Sequence, residues 1–413
     1  MNYELKYGCI GEHLPHSFSR EIHNEIGSYA YELKELTPEE LPGFITARSF
    51  LGINVTIPYK QAVIPFLDEI DETARAIGAV NTVVNRDGKL YGYNTDLYGI
   101  TRLIRRIGLE LSGKKVLVLG TGGTSRTASY AAEMLGARVV YRVSRTSREG
   151  SLSYEDILRD HTDAEIILNT TPCGMFPRPA EQPLALGTFT RIKGVVDAIY
   201  NPLRSRLVLE AHSRAIPAEG GLYMLVAQAV RASELFLDTT YPEELTDRIY
   251  SLILSRKENI VLIGMPGSGK SAVGEILTGR TGKPLADTDR LIVEKAGKSI
   301  PDIFREDGEP AFRDLESEII RDLSMQGGQI ISTGGGAVLR PENVTLLRQN
   351  GRLFWLDRDP ESLVPTDDRP LADTDAKMKK LYQEREPVYR ASADVIIPVF
   401  GTPESTAALI LQQ

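Results

Sequence analysis

With 413 residues, 42% of them apolar and 25% charged, the chain exceeds what one hydrophobic core usually organises and has the composition of a globular protein of two or three domains. A formal net charge of −8 without any Lys/Arg block argues against nucleic-acid binding, and no run approaches the roughly 20 apolar residues of a membrane span. Cys9 and Cys173 form no disulfide framework or zinc pattern, and the opening residues carry charges instead of a signal-peptide run, so the expectation is a cytoplasmic protein with small-molecule partners. The oligomeric state is not legible.

Short apolar runs alternate with helical patterns along the whole chain, the rhythm of βαβ units, which predicts an α/β fold with parallel sheets. In the first hundred residues "HSFS", "NVTIPYK", "GAVNTV" and "GYNTDLYG" set polar groups beside apolar runs. Lys60 and Asp96 are ordinary surface residues when taken singly. Here each follows an apolar run, which places it at the strand ends where open α/β sheets bind ligands.

"KKVLVLGTGGTSRTA" then supplies Gly120, Gly122 and Gly123 between a predicted strand and a predicted helix, with Ser125 where a strict G-x-G-x-x-G has its last glycine. This favours a dinucleotide site over a bare turn. Where an NAD site would place an acid for the ribose 2′-hydroxyl, the chain reads "VSRTSRE", with Ser144, Arg145, Thr146 and Arg148. Hydroxyls and arginines suit a 2′-phosphate and hence NADP, a solvated basic loop being the alternative. The polar stretch "SRKEN", residues 255–259, is expected to be a linker.

After it, Gly264-Met-Pro-Gly267-Ser-Gly269-Lys270-Ser271 matches G-x-x-x-x-G-K-[ST], again between a strand and a helix. Such a loop turns backbone N–H groups toward a polyphosphate, with Lys270 on the β/γ-phosphates of ATP and the Ser271 hydroxyl on Mg²⁺. Asp287 and Asp289 in "PLADTDRLI" can serve Mg²⁺ and an attacking hydroxyl, or merely cap a helix. Downstream stand Arg313, the run Gly334, Gly335 and Gly336, Arg369 in "DDRPL" and Arg385 in "EREPVYR".

The first four stretches, continued by "NTTPCGM", "DAIYNP" and "GLYMLVAQA", resemble shikimate dehydrogenase over residues 1–254, and the later set resembles shikimate kinase over residues 258–413. The first resemblance implies a two-domain dehydrogenase. Its substrate part would span about residues 1–100 plus 225–254, and a Rossmann-like NADP part about 101–224. Ser17 and Ser19 would hold the substrate carboxylate, Asn54, Thr56, Asn81 and Gln228 its hydroxyls, and Lys60 and Asp96 would form the catalytic pair. The second implies a P-loop kinase domain, residues 260–413, with a parallel sheet. There Asp289 would bind ring hydroxyls and act as base, Arg313 and Arg385 would clamp the carboxylate, and Gly334–Gly336 would bring amides to the substrate. Arg369 would lie on a closing lid, which is shortened around Pro365. Ser144 stands in place of an expected asparagine.

Together the two resemblances imply NADPH-dependent reduction of 3-dehydroshikimate followed by ATP-dependent phosphorylation of shikimate. An NAD-using quinate/shikimate dehydrogenase joined to another polyol kinase, or a shikimate sensor with one inactive module, are the alternatives.

Overall fold

A tight turn organises the first sheet. In the computed structural model, which describes residues 5–14, 17–27, 29–146, 150–363 and 375–413, strands β1 (Tyr7–Gly11), β2 (Glu32–Glu35), β3 (Gly52–Val55), β4 (Glu69–Ile70), β5 (Thr82–Arg86) and β6 (Lys89–Tyr93) pair in the order β2-β1-β3-β5-β6-β4. Asp87 (φ 52°) and Gly88 (φ 83°) form the two-residue turn between β5 and β6. Asp-Gly is the pair that adopts positive φ at both positions and so matches the twist of the flanking strands. β1, β2 and β3 are parallel, and β5 runs antiparallel to β3 and β6.

The second sheet is wholly parallel. Its strands β7 (Lys115–Leu119), β8 (Val139–Ser144), β9 (Leu152–Ser153), β10 (Ile166–Asn169), β11 (Gly194–Asp197) and β12 (Ala218–Glu219) lie in the order β12-β11-β10-β7-β8-β9. This is the doubly wound arrangement, whose order reverses between β7 and β10 and opens a crevice at their carboxyl ends. Val116, Leu117, Val118 and Leu119 are all fully buried, as expected of a strand covered on both faces. The helix Thr95–Arg106 packs against the helix Leu222–Leu237, burying Ile100, Leu103 and Ile104 at about 1.5–3 kcal/mol each.

The chain divides into two units, Met1–Leu254 and Ser255–Gln413. In the second, β13 (Asn259–Ile263), β14 (Leu285–Asp287), β15 (Ile330–Ser332), β16 (Gly351–Asp357) and β17 (Val395–Pro398) form a parallel sheet in the order β14-β15-β13-β16-β17. Trp355 of β16 is fully buried and stacks on Tyr389, with ring centroids 5.9 Å apart.

The expected linker at 255–259 is not an extended connector. The helix Glu244–Lys257 runs through Ser255, Arg256 and Lys257, and β13 opens at Asn259, leaving Glu258 between them. Polar composition there reflects the last helical turn, where Arg256 and Lys257 complement the negative end of the helix dipole. Among the described residues no helix is long and apolar enough to cross a membrane.

Candidate functional site

In the first unit the site starts from a helix cap. Asn94, just past β6, accepts a hydrogen bond from the backbone N of Leu97 at 3.1 Å and so begins the helix Thr95–Arg106. Asp96 in its first turn then meets Lys60, on the turn after β3, at 2.5 Å from Nζ to Oδ2. The other oxygen of Asp96 accepts from Asn81 Nδ2 at 2.9 Å, so the carboxylate is held on both sides. Asn81 Oδ1 accepts from Thr95 N at 2.7 Å, and Thr95 Oγ1 donates to Gln228 Oε1 at 3.3 Å. Asn54 accepts from Tyr31 Oη at 2.7 Å and donates to Thr82 Oγ1 at 3.1 Å. Ser17 Oγ accepts from Ser19 N at 3.3 Å. Ser17, Ser19, Asn54, Thr56, Lys60, Asn81, Asp96 and Gln228 all line one cleft of about 420 Å³. Thr170, Thr171 and Tyr200, from the carboxyl ends of β10 and β11, line it as well.

The glycine loop reaches this cleft, since Lys60 Nζ donates to Thr124 Oγ1 at 3.3 Å. Gly120 has φ 114°, where a side chain is strained and its Cβ would stand 2.7 Å from Thr170 Oγ1. Ser125 is buried, and its hydroxyl donates to the Gly120 carbonyl at 2.6 Å. It thus ties the helix to the loop at the position of the missing third glycine. Gly122 caps the helix Gly123–Met134 with open space before it, and a Cβ on Gly123 would come within 3.3 Å of the Lys60 stem. The unobstructed helix N-terminus fits a pyrophosphate. At the end of β8, Ser144 donates to the Thr146 carbonyl, and Arg145 and Thr146 are exposed. Arg148 lies outside the described residues.

The phosphate loop of the second unit has Gly264, Gly267 and Gly269 at φ 143°, 82° and 93°. Lys270 turns back into the loop, donating to the carbonyls of Gly264 and Met265 at 2.9 Å each. Ser271 Oγ donates to Asp287 Oδ2 at 2.7 Å, while Asp287 Oδ1 accepts from the backbone N of Asp289 at 3.1 Å and of Arg290 at 3.3 Å. The cap and the partnership with Ser271 therefore coexist, one on each oxygen. No group of three or more His, Cys, Asp or Glu side chains suited to a metal occurs among the described residues.

Beyond β15 the glycine run is lined by charge. A Cβ on Gly334 would stand 2.7 Å from Asp289 Oδ1 and 2.6 Å from Glu316 Oε1, one on Gly335 2.7 Å from Pro266 Cδ, and one on Gly336 would overlap the Arg313 guanidinium. Arg313 donates to Glu316 Oε2 at 2.8 Å, and Arg385 is buried nearby, close enough to act on the same carboxylate. Burial pushes the Glu316 carboxyl above its ordinary value, against the pull of Arg313. Arg369, together with Pro365 and its expected lid, lies outside the described residues.

Residues 9–83 match the family described as shikimate dehydrogenase substrate binding domain, and residues 266–413 match shikimate kinase. The chain is 35% identical to the shikimate dehydrogenase (NADP(+)) of Clostridium beijerinckii over 263 residues, covering 60% of this chain and 97% of the relative. The chain belongs to the shikimate dehydrogenase family, with a shikimate kinase domain fused behind it. Among solved structures, shikimate dehydrogenase 1 from Peptoclostridium difficile superposes with a TM-score of 0.56 at 33% identity, covering 60% of this chain and 97% of its own. Shikimate 5-dehydrogenase from Thermus thermophilus, in complex with NADP(H) and shikimate, does so at 0.55 and 29%, covering 60% and 99%.

Several residues of the dehydrogenase and kinase sites escaped sequence reading. Glu316 looks like one more charge in "RDLESE", although its i,i+3 spacing from Arg313 on one helical face was available as a signal. Thr124 was hidden inside the glycine pattern. Tyr31 holds Asn54 and stacks on the buried His23 with centroids 3.7 Å apart, a contact that no spacing announces. Burial brings the His23 imidazole down to about 3, so the stack is neutral.

Proposed function

We infer that the protein is a bifunctional enzyme that reduces 3-dehydroshikimate to shikimate with NADPH and then phosphorylates shikimate with ATP. The observation that carries the first half is the Lys60–Asp96 pair, 2.5 Å apart in a cleft that also touches the glycine loop through Thr124. NADPH supplies the hydride and ATP the phosphoryl group. In an ion pair the ammonium carries the proton, so Lys60 donates it to the nascent alkoxide, while Asp96, held by Asn81, orients Lys60. Ser17 and Ser19 bind the substrate carboxylate, and Asn54, Thr56, Asn81 and Gln228 its hydroxyls. Gly120, Gly122 and Gly123 seat the pyrophosphate, and Arg145, with Ser144, Thr146 and Arg148, reads the 2′-phosphate.

In the kinase domain Lys270 exchanges the loop carbonyls for nucleotide phosphates. Ser271 and Asp287 would hold Mg²⁺, which would supply positive charge to offset the negative charge of the phosphates. Asp289 takes the acceptor hydroxyl proton, Arg313 and Arg385 clamp the carboxylate by charge-assisted hydrogen bonds, and Gly334–Gly336 bring the backbone close. Arg369 is assigned to the lid by resemblance alone.

Steady-state assay of each half-reaction in Lys60→Ala tests the reading. Reduction of 3-dehydroshikimate should fall about 10²-fold in kcat/KM, with shikimate phosphorylation unchanged. A loss below about threefold would remove Lys60 from the chemistry.

A further inference from the structure

The mouth of the phosphate loop carries a cation that the loop motif does not account for. β16 lies directly beside β13 and parallel to it, with Leu262 opposite Phe354 and Ile263 opposite Trp355. Parallel neighbours release their following residues at the same sheet edge. After β13 that edge receives the phosphate loop, and after β16 it receives Arg358. Gly264 is already packed on β16, because a Cβ there would stand 2.9 Å from the Leu356 carbonyl. Arg358 Nη1 lies 4.0 Å from the place a Cβ on Gly269 would occupy, at the first turn of the helix Lys270–Thr281.

The carboxylates flanking Arg358 in sequence have other partners. Asp357 Oδ1 accepts from Tyr382 Oη at 3.0 Å, and Asp359 Oδ1 accepts from Glu361 N at 2.9 Å. Arg358 Nε is buried and has no hydrogen-bond partner. A guanidinium beside the positive end of a helix dipole, with Lys270 on that same first turn, is unfavourable unless an anion joins them. The binding of a phosphate chain converts that repulsion into attraction.

We propose that Arg358 is a nucleotide-binding residue that donates hydrogen bonds to the phosphates of ATP and ADP. This rests on the reading of the loop as the ATP site. Its contribution is to affinity for the phosphate chain, separate from Asp289, Arg313 and Arg385 at the acceptor end.

The test is calorimetric titration of the full chain with ADP, alongside kinase kinetics, for the native protein, Arg358→Met and Arg358→Lys. Arg358→Met should weaken ADP binding and raise the KM for ATP about tenfold or more, the loss of one hydrogen bond between charged groups. The KM for shikimate should stay within about twofold, and Arg358→Lys, which keeps the charge, should recover part of the loss. ADP affinity within about twofold of the native value in Arg358→Met overturns the proposal. So does an equal loss in both variants together with a lowered unfolding midpoint without nucleotide, which would make the side chain part of the scaffold. A folded native chain that fails to bind ADP would instead overturn the reading of the loop itself.

Discussion

Asp197 shows how one buried carboxylate orders the wall of the cleft built from the ends of β10 and β11. Its Oδ1 accepts from Asn169 Nδ2 and from Ile199 N at 3.0 Å each, and its Oδ2 accepts from Ser205 Oγ at 2.6 Å. Asn169 in turn accepts from the Thr171 hydroxyl at 2.7 Å, so the segments after β10 and β11 are joined behind the cleft wall. Burial raises the Asp197 carboxyl to about 6, with the three hydrogen bonds opposing the shift. A raised folded-state value favours the folded state most below the unfolded value near 3.8, and that contribution is lost as pH rises through about 6. Between pH 4 and 7 the native protein should therefore lose stability relative to Asp197→Asn, by about 3 kcal/mol at most. Denaturant unfolding of both proteins at the two pH values measures it. Parallel pH dependence in the two would show that Asp197 stays ionised in the folded state throughout.

At the scale of elements, the acceptor site proposed for the kinase depends on how closely the glycine run approaches the helix Gly308–Ser324. Gly336 leaves room for the Arg313 guanidinium, which a Cβ would overlap. The obstructed atoms are the guanidinium that pairs with the fully buried Glu316, so displacing Arg313 takes that carboxylate's partner away. Gly336→Ala should therefore lower stability by about 3 kcal/mol and raise the KM for shikimate about tenfold through loss of a charge-assisted contact. An unchanged KM would mean that Arg313 does not bind substrate from this position. The strand–loop–helix units around Gly120 and Gly264 were legible because apolar runs, glycines and helical periodicity are local signals. The Asp87-Gly88 turn was equally local, but its two residues stood unread between "VNTVV" and "GYNTD". That residues 255–257 are helical was not legible for a different reason: the exposed last turn of a helix and a loop share the same polar composition.

For the whole molecule, the hydrophobic clusters divide with the two units, one set drawn from residues before Leu254 and the other from residues after Asn259. Each unit should therefore respond to its own nucleotide. Calorimetric unfolding should show NADP raising one transition and ADP the other, each by several degrees at about 100 times Kd, which corresponds to about 2.7 kcal/mol. A single transition that shifts with either ligand would show that the units unfold as one. Sequence alone determined the α/β class, the two glycine loops and the kinds of residue each reaction needs, because strand–loop–helix geometry is encoded within some twenty consecutive residues. Tertiary structure decided which of those residues meet. Lys60 and Asp96 are 36 positions apart, Thr95 and Gln228 133 apart, and Arg358 comes to Gly269 only because β16 pairs with β13. Strand order and helix packing set those distances, and they depend on which buried faces fit one another across the whole unit, a property no local pattern contains.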